Sequence, residues 1–126
     1  MKQLTHYLTA DDHQEGSGGQ PQPWVIIGSS YGGLMAILFA AQHPDHVAKL
    51  ILFAPALTRP FYAGEFPPPV TTPTVIYHGQ NDTVVPLEPT RKFAERVCTN
   101  LTFHEVDDDH SLHTTFLQLD LPHFLD

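Results

Sequence analysis

Residues 23–44, PWVIIGSSYGGLMAILFAAQHP, decide how this chain is read. Trp24 to Ile27 is a short apolar run, rich in β-branched residues and too short for a helix, which predicts a buried strand ending at Gly28. From Gly32 to His43 almost every residue is apolar or small, enough for about three turns of buried helix before Pro44 stops it. Between them Gly28, Ser29, Ser30, Tyr31 and Gly32 spell G-x-S-x-G at the join of strand and helix. A serine at the tip of so tight a turn is held in a strained backbone conformation with its hydroxyl exposed, and Gly28 and Gly32 are small because the adjacent backbone passes within contact distance. The start of the helix adds free N–H groups and partial positive charge beside Ser30, an environment that favours an oxyanion. A serine that merely caps the helix would be spelled the same way. The flanking strand and helix favour the exposed nucleophile.

Outward from this segment the alternation continues. Lys49 to Phe53, Thr74 to His78 and Leu101 to Val106 read as further strands, and Glu88 to Val97 as a helix with Phe93 and Val97 on one face. A last helix is expected from Ser111, carrying Leu112, Phe116 and Leu119 inward until Pro122. Leu4, Tyr7 and Leu8 suggest a short helix over 3–11, and Gly16 to Pro23 reads as a flexible connection. The rhythm predicts an α/β fold of about four parallel strands flanked by helices and joined by right-handed crossovers, a minimal or truncated version of its class, in one domain spanning 1–126. Ala54 to Pro73, with Pro55, Pro60, Pro67, Pro68, Pro69 and Pro73, cannot hold a helix and reads as a flap.

The chain's 126 residues, 41% of them hydrophobic, supply one core. Fourteen Asp and Glu against six Lys and Arg give a net charge of -8, which opposes binding to nucleic acid or an anionic membrane. No run approaches the roughly 20 apolar residues of a membrane span, and Met1 to Ala10 lacks the basic-then-apolar pattern of a secretory leader, so a cytoplasmic location is expected. Cys98 has no internal disulfide partner and no adjacent basic cluster, and reads as a small core residue. The glycine stretch lacks Gly-Lys-Ser/Thr and so is not a phosphate loop. His104, His110 and His113 with Asp107 to Asp109 match no zinc spacing, and the aspartates read as a solvated loop; neither metal nor cofactor is expected.

A serine hydroxyl needs a base, and the base an orienting carboxylate. Asp82, in the segment HGQND directly after the third strand, would lie on the same sheet edge as Ser30, although Asn81 and Asp82 are also ordinary turn formers. His110, in DDDH after the fourth strand, follows by the same logic, with His113 as the competing base. The order Ser, acid, His is that of hydrolases built this way.

On GSSYGG, HGQNDTVVP and DDDH, the chain from about Pro23 to Asp120 resembles the α/β-hydrolase superfamily. The resemblance implies Ser30 as nucleophile, Asp82 as acid, His110 as base and the Tyr31 N–H as an oxyanion donor. It further implies cleavage of a small carboxylic ester through an acyl-enzyme without a cofactor. The flap stands where relatives carry a lid, so that Phe61, Tyr62 and Phe66 would line an acyl or alcohol pocket, or else only cover the core. The strands and the His-Gly oxyanion loop that precede the nucleophile in the family are not seen between Met1 and Pro23, so only the second half of the fold is matched. Gly16 to Gly19 could supply an N–H in their place. That gap keeps open a non-catalytic binding or assembly module, while the shared triad keeps open a thioesterase, an acyltransferase or a carbon–carbon bond hydrolase. An uncharged strand at Trp24 to Ile27 without its usual neighbour also predicts a homo-oligomer that buries this edge.

Overall fold

A computed structural model describes residues 23–112. Strand β1 (Trp24–Ser29) is followed by helix α1 (Tyr31–Gln42), a single 3-10 turn (Pro44–His46) and β2 (Val47–Phe53). After the flap come β3 (Thr74–Gly79), helix α2 (Leu87–Val97) and β4 (Leu101–Val106). All neighbouring pairs are parallel, in the order β1-β2-β3-β4. The four expected strands are all present; β1 runs on through Gly28 to Ser29, and β2 starts at Val47 rather than Lys49.

Because the order advances one way across the sheet, right-handed crossovers bring both helices to the same face. There Ile26, Leu50, Leu52 and Ile76 form one core with Ile37 and Ala40 of α1 and with Phe93 and Val97 of α2. The opposite face carries Ile51, Phe53 and Tyr77 with Leu112. Phe53, Tyr77 and His104 lie level across three strands and stack in turn, with centroids 5.5 and 4.7 Å apart. α1 is apolar nearly all round and needs no polar stripe, whereas α2 buries Thr90, Phe93, Ala94 and Val97 at helical spacing and exposes the rest. Cys98 is buried at its end, and burial pushes the thiol up to about 11, in keeping with an inert core position.

The strand ends are joined by one more rung of hydrogen bonds. Ser30 N–H donates to Phe53 O, Ala54 N–H to Tyr77 O and Gln80 N–H to Val106 O, at 3.1, 2.8 and 2.8 Å. Everything that leaves this C-terminal edge therefore starts from a common line. The flap, 54–73, forms no helix and is tied at both ends: Ala56 N–H donates to Ser30 O at 2.9 Å, and Val70 is bonded to Val97 and Thr99 beside α2.

The starting point expected for the last helix is corrected. No helix begins at Ser111, because the Asp109 carboxylate takes both the Ser111 N–H and its hydroxyl, at 3.0 and 2.7 Å. Such side-chain bonding competes with helix formation, and Leu112 turns away at φ 53°. The helix over 3–11, the Gly16–Gly19 run, His113, Phe116, Leu119 and Pro122 lie outside the described residues. Among the described residues no helix is long and apolar enough to cross a membrane.

β1 and α1 cross at Gly28, where a Cβ would come within 2.6 Å of the Gly32 carbonyl oxygen. Backbone on both sides leaves nothing to rotate away. Gly28→Ala is expected to cost about 1–3 kcal/mol, read as a lower urea midpoint at unchanged m-value; a midpoint equal to wild type would contradict the close crossing.

Candidate active site

Ser30 occupies the N-cap position of α1 with φ 53° and ψ -122°, a region that side chains rarely enter. Its hydroxyl makes no capping bond to the helix. The helix-cap reading of this serine thus fails, since the oxygen that would cap is left for other partners. What holds the strained residue is its own backbone: the N–H donates to Phe53 O, while its carbonyl accepts from Gly33, Leu34 and Ala56 at 3.0, 3.3 and 2.9 Å. Strain of this kind costs about 1–3 kcal/mol and persists where the surroundings over-determine it. The amides of Tyr31 and Gly32, in the first turn of α1, have no carbonyl one helical turn earlier to bond, so they stand beside Ser30 as donors.

Asp82 and His110 come from different loops and meet directly. His110 Nδ1 is 2.7 Å from Asp82 Oδ2, and the carboxylate is wholly buried beneath the partly exposed ring. The other oxygen, Oδ1, accepts the N–H groups of Val84 and Val85 at 2.8 and 2.7 Å. Asp82 is therefore both the ordinary turn former and the partner of a histidine, one oxygen for each. The two loops are sewn together by Asn81 N–H to Asp108 O at 3.0 Å and by Asn81 Nδ2 to Asp107 Oδ1 at 3.1 Å. This contact requires Gly79, where a Cβ would stand 2.3 Å from Asp108 O. The acidic loop expected to be merely solvated thus docks onto HGQND, with Asp107 and Asp108 as its points of attachment.

Sequence reasoning passed over His78. It is fully buried, with Nε2 2.8 Å from Val85 O and 3.3 Å from Asp82 Oδ2. A carbonyl only accepts, so Nε2 carries the proton and braces both ends of the 82–85 turn. Burial pushes the His78 pKa down; the Val85 carbonyl and Asp82 push it up by less, and His110 adds to the lowering. The ring is therefore neutral near pH 7, its contact to Asp82 a hydrogen bond rather than an ion pair. Its position just before Gly79 at a strand end was the available signal.

The three flap aromatics separate. Tyr62 and Phe66 line a cavity of about 720 Å³ with Phe93, whereas Phe61 is not in its wall and lies edge-on to Tyr31 at 5.6 Å between centroids. The chain turns at residues 59–61, which sends these neighbours to different sides. Ser30, Asp82 and His110 are not in the cavity wall either.

A family model of the serine aminopeptidases, S33, matches residues 4–70. Over 42 residues the chain is 43% identical to monoacylglycerol lipase abhd6-B of Xenopus laevis, a stretch covering 33% of this chain and 12% of that protein. Among solved structures, an α/β serine hydrolase homologue from Coxiella burnetii superposes with a TM-score of 0.67 at 23% identity, over 94% of this chain and 54% of its own. Est1E from Butyrivibrio proteoclasticus, solved with ferulic acid bound, gives 0.64 at 20%, over 90% and 63%. The chain thus spans less than two thirds of the length of these proteins, and the structural likenesses concern the fold.

Two outcomes follow from this geometry. Glycine relieves the backbone at Ser30, so Ser30→Gly should be more stable than Ser30→Ala by about 1 kcal/mol in urea unfolding; the reverse order would contradict the strained turn. For His78 the folded-state pKa lies below the unfolded value of about 6.5, so the unfolded chain binds more protons as the pH falls and stability declines below about pH 6.5. His78→Gln, which keeps a donor toward Val85 but does not titrate, should flatten this decline in melting temperature relative to wild type, and equal slopes would contradict it.

Proposed function

The chain belongs to the serine aminopeptidase S33 family of α/β hydrolases, and from that premise we propose that Ser30, Asp82 and His110 cleave a small carboxylic ester through an acyl-enzyme. The observation that carries this reading is the 2.7 Å contact from His110 Nδ1 to Asp82 Oδ2, on the sheet edge from which Ser30 projects. With Nδ1–H given to Asp82, the lone pair of the imidazole is on Nε2, the nitrogen that accepts the Ser30 proton. Ser30 Oγ then bonds to the ester carbonyl carbon, and the carbonyl oxygen becomes an oxyanion facing the Tyr31 N–H. Collapse breaks the bond to the alcohol, which leaves with the proton from His110. Water adds to the acyl-enzyme by the same route, giving up a proton to His110, and the carboxylic acid departs as Ser30 recovers its hydrogen. Asp82 stays ionised throughout and holds the imidazolium.

An ester as substrate is supported by the lipase relative, whose monoacylglycerol is a carboxylic ester, and by the half-buried Ser30 hydroxyl, which makes no capping bond to the helix. Tyr31 and Phe61, edge to face beside the turn, supply an apolar wall for the acyl or alcohol group.

A fluorophosphonate probe should label the chain once and fail on Ser30→Ala. With p-nitrophenyl butyrate, Ser30→Ala and His110→Ala should each lower kcat by about a thousandfold or more, and the double variant no further, since members of a triad act as a unit. Labelling that survives Ser30→Ala, or full activity in His110→Ala, would end this reading.

A further inference from the structure

Lys and Arg are scarce here, six against fourteen Asp and Glu, yet three of them line a cavity between the flap and α2: Arg59, Lys92 and Arg96. Among the described residues its only acidic wall residue is Glu65. Among the described residues no carboxylate pairs with any of the three, while Arg91, one residue from Lys92, is taken by Glu88 and Glu105. Lys92 and Arg96 are four apart on α2, a like-charge spacing that opposes the helix. Arg96 in the last turn is compensated by the helix dipole, whereas Glu88, four residues before Lys92, pairs with Arg91 instead. A chain rich in acidic residues that leaves these cations unpaired around a cavity has an anion-attracting surface there.

Apart from these cations, Glu65 and Thr58, the wall is apolar, and it is fixed. Tyr62 and Phe66 meet Phe93 at 5.6 and 5.2 Å, the Arg96 guanidinium lies 4.0 Å over the Phe66 ring, and the hydrogen bonds of Ala56 and Val70 pin the flap at both ends. The volume is within the range of small-molecule sites, about 300–1,000 Å³. We propose that this cavity binds an amphiphilic anion, its carboxylate or phosphate head among Arg59, Lys92 and Arg96 and its apolar chain against Tyr62, Phe66 and Phe93. The site is separate from Ser30 and does not depend on the hydrolytic reading, so its test uses ligands that an esterase does not turn over.

Calorimetric titration of the whole chain with dodecanoate, dodecyl phosphate, dodecanol and inorganic phosphate, all below micelle formation, distinguishes the parts. Both amphiphilic anions should bind at least about tenfold more tightly than dodecanol and than inorganic phosphate, and the tighter of the two identifies the head group. Lys92→Glu with Arg59→Glu should abolish that preference and leave dodecanol unchanged, and raised salt should weaken only the anions. Lys92→Gln, a milder change at an exposed position, should lower anion affinity several-fold should the double variant not fold. Equal binding of dodecanol and dodecanoate, inorganic phosphate binding as well as dodecyl phosphate, or anion affinity unmoved by either variant would overturn the proposal.

Discussion

The carboxylate of Asp82 has two oxygens with different tasks, and the rest of the site depends on that division. Oδ1 closes the turn onto Val84 and Val85, which fixes the side chain independently of His110. Oδ2 is then left pointing at His110. Because the carboxylate is buried, its hydrogen bonds are not shared with water, and each one lost would leave a charge without compensation. His78 reinforces the arrangement as a neutral donor, so among the described residues Asp82 is held by hydrogen-bond donors and by no Lys or Arg.

Two features of the sheet bring the loops to this meeting. Parallel strands end on one side, and the extra rung through Ser30, Ala54 and Gln80 sets the three departing loops level. At Ser30 the chain must reverse from strand into helix within one residue, and the resulting φ of 53° turns the serine outward while its backbone stays fully bonded. At Gly79 the absence of a Cβ lets the Asp108 carbonyl pass, which carries His110 over to Asp82. Stability given up at one strained residue is recovered in the apolar α1 behind it, whose Ile37 and Ala40 lie in the main core.

Much of this was legible in the letters. GSSYGG between an apolar strand and an apolar helix announces its turn because glycines at that spacing have few other uses there. HGQND and DDDH could be placed on the same edge because each follows a strand of a parallel sheet. What was hidden is non-local or depends on a single competing hydrogen bond. Asp109 capturing Ser111 keeps Ser111 and Leu112 out of the helix that periodicity started there. Phe61 and Tyr62, adjacent in sequence, go to Tyr31 and to Phe93 respectively, a choice set by a turn rather than by any pattern. His78 reads as a strand residue until Val85, seven residues on, is seen to fold back over it. The gathering of Arg59 with Lys92 and Arg96 joins a loop to a helix and has no signature in sequence spacing.

The most direct test of the account is whether His110 gives its Nδ1 proton to Asp82 in solution. With nitrogen-15-labelled histidine, proton NMR should show a strongly downfield imidazole N–H, protected from exchange, that is assigned to His110 and disappears in Asp82→Asn, where the charged acceptor is lost. A His110 Nδ1–H that exchanges as freely as in an open side chain, or one unchanged by Asp82→Asn, would contradict the pairing on which the site is built.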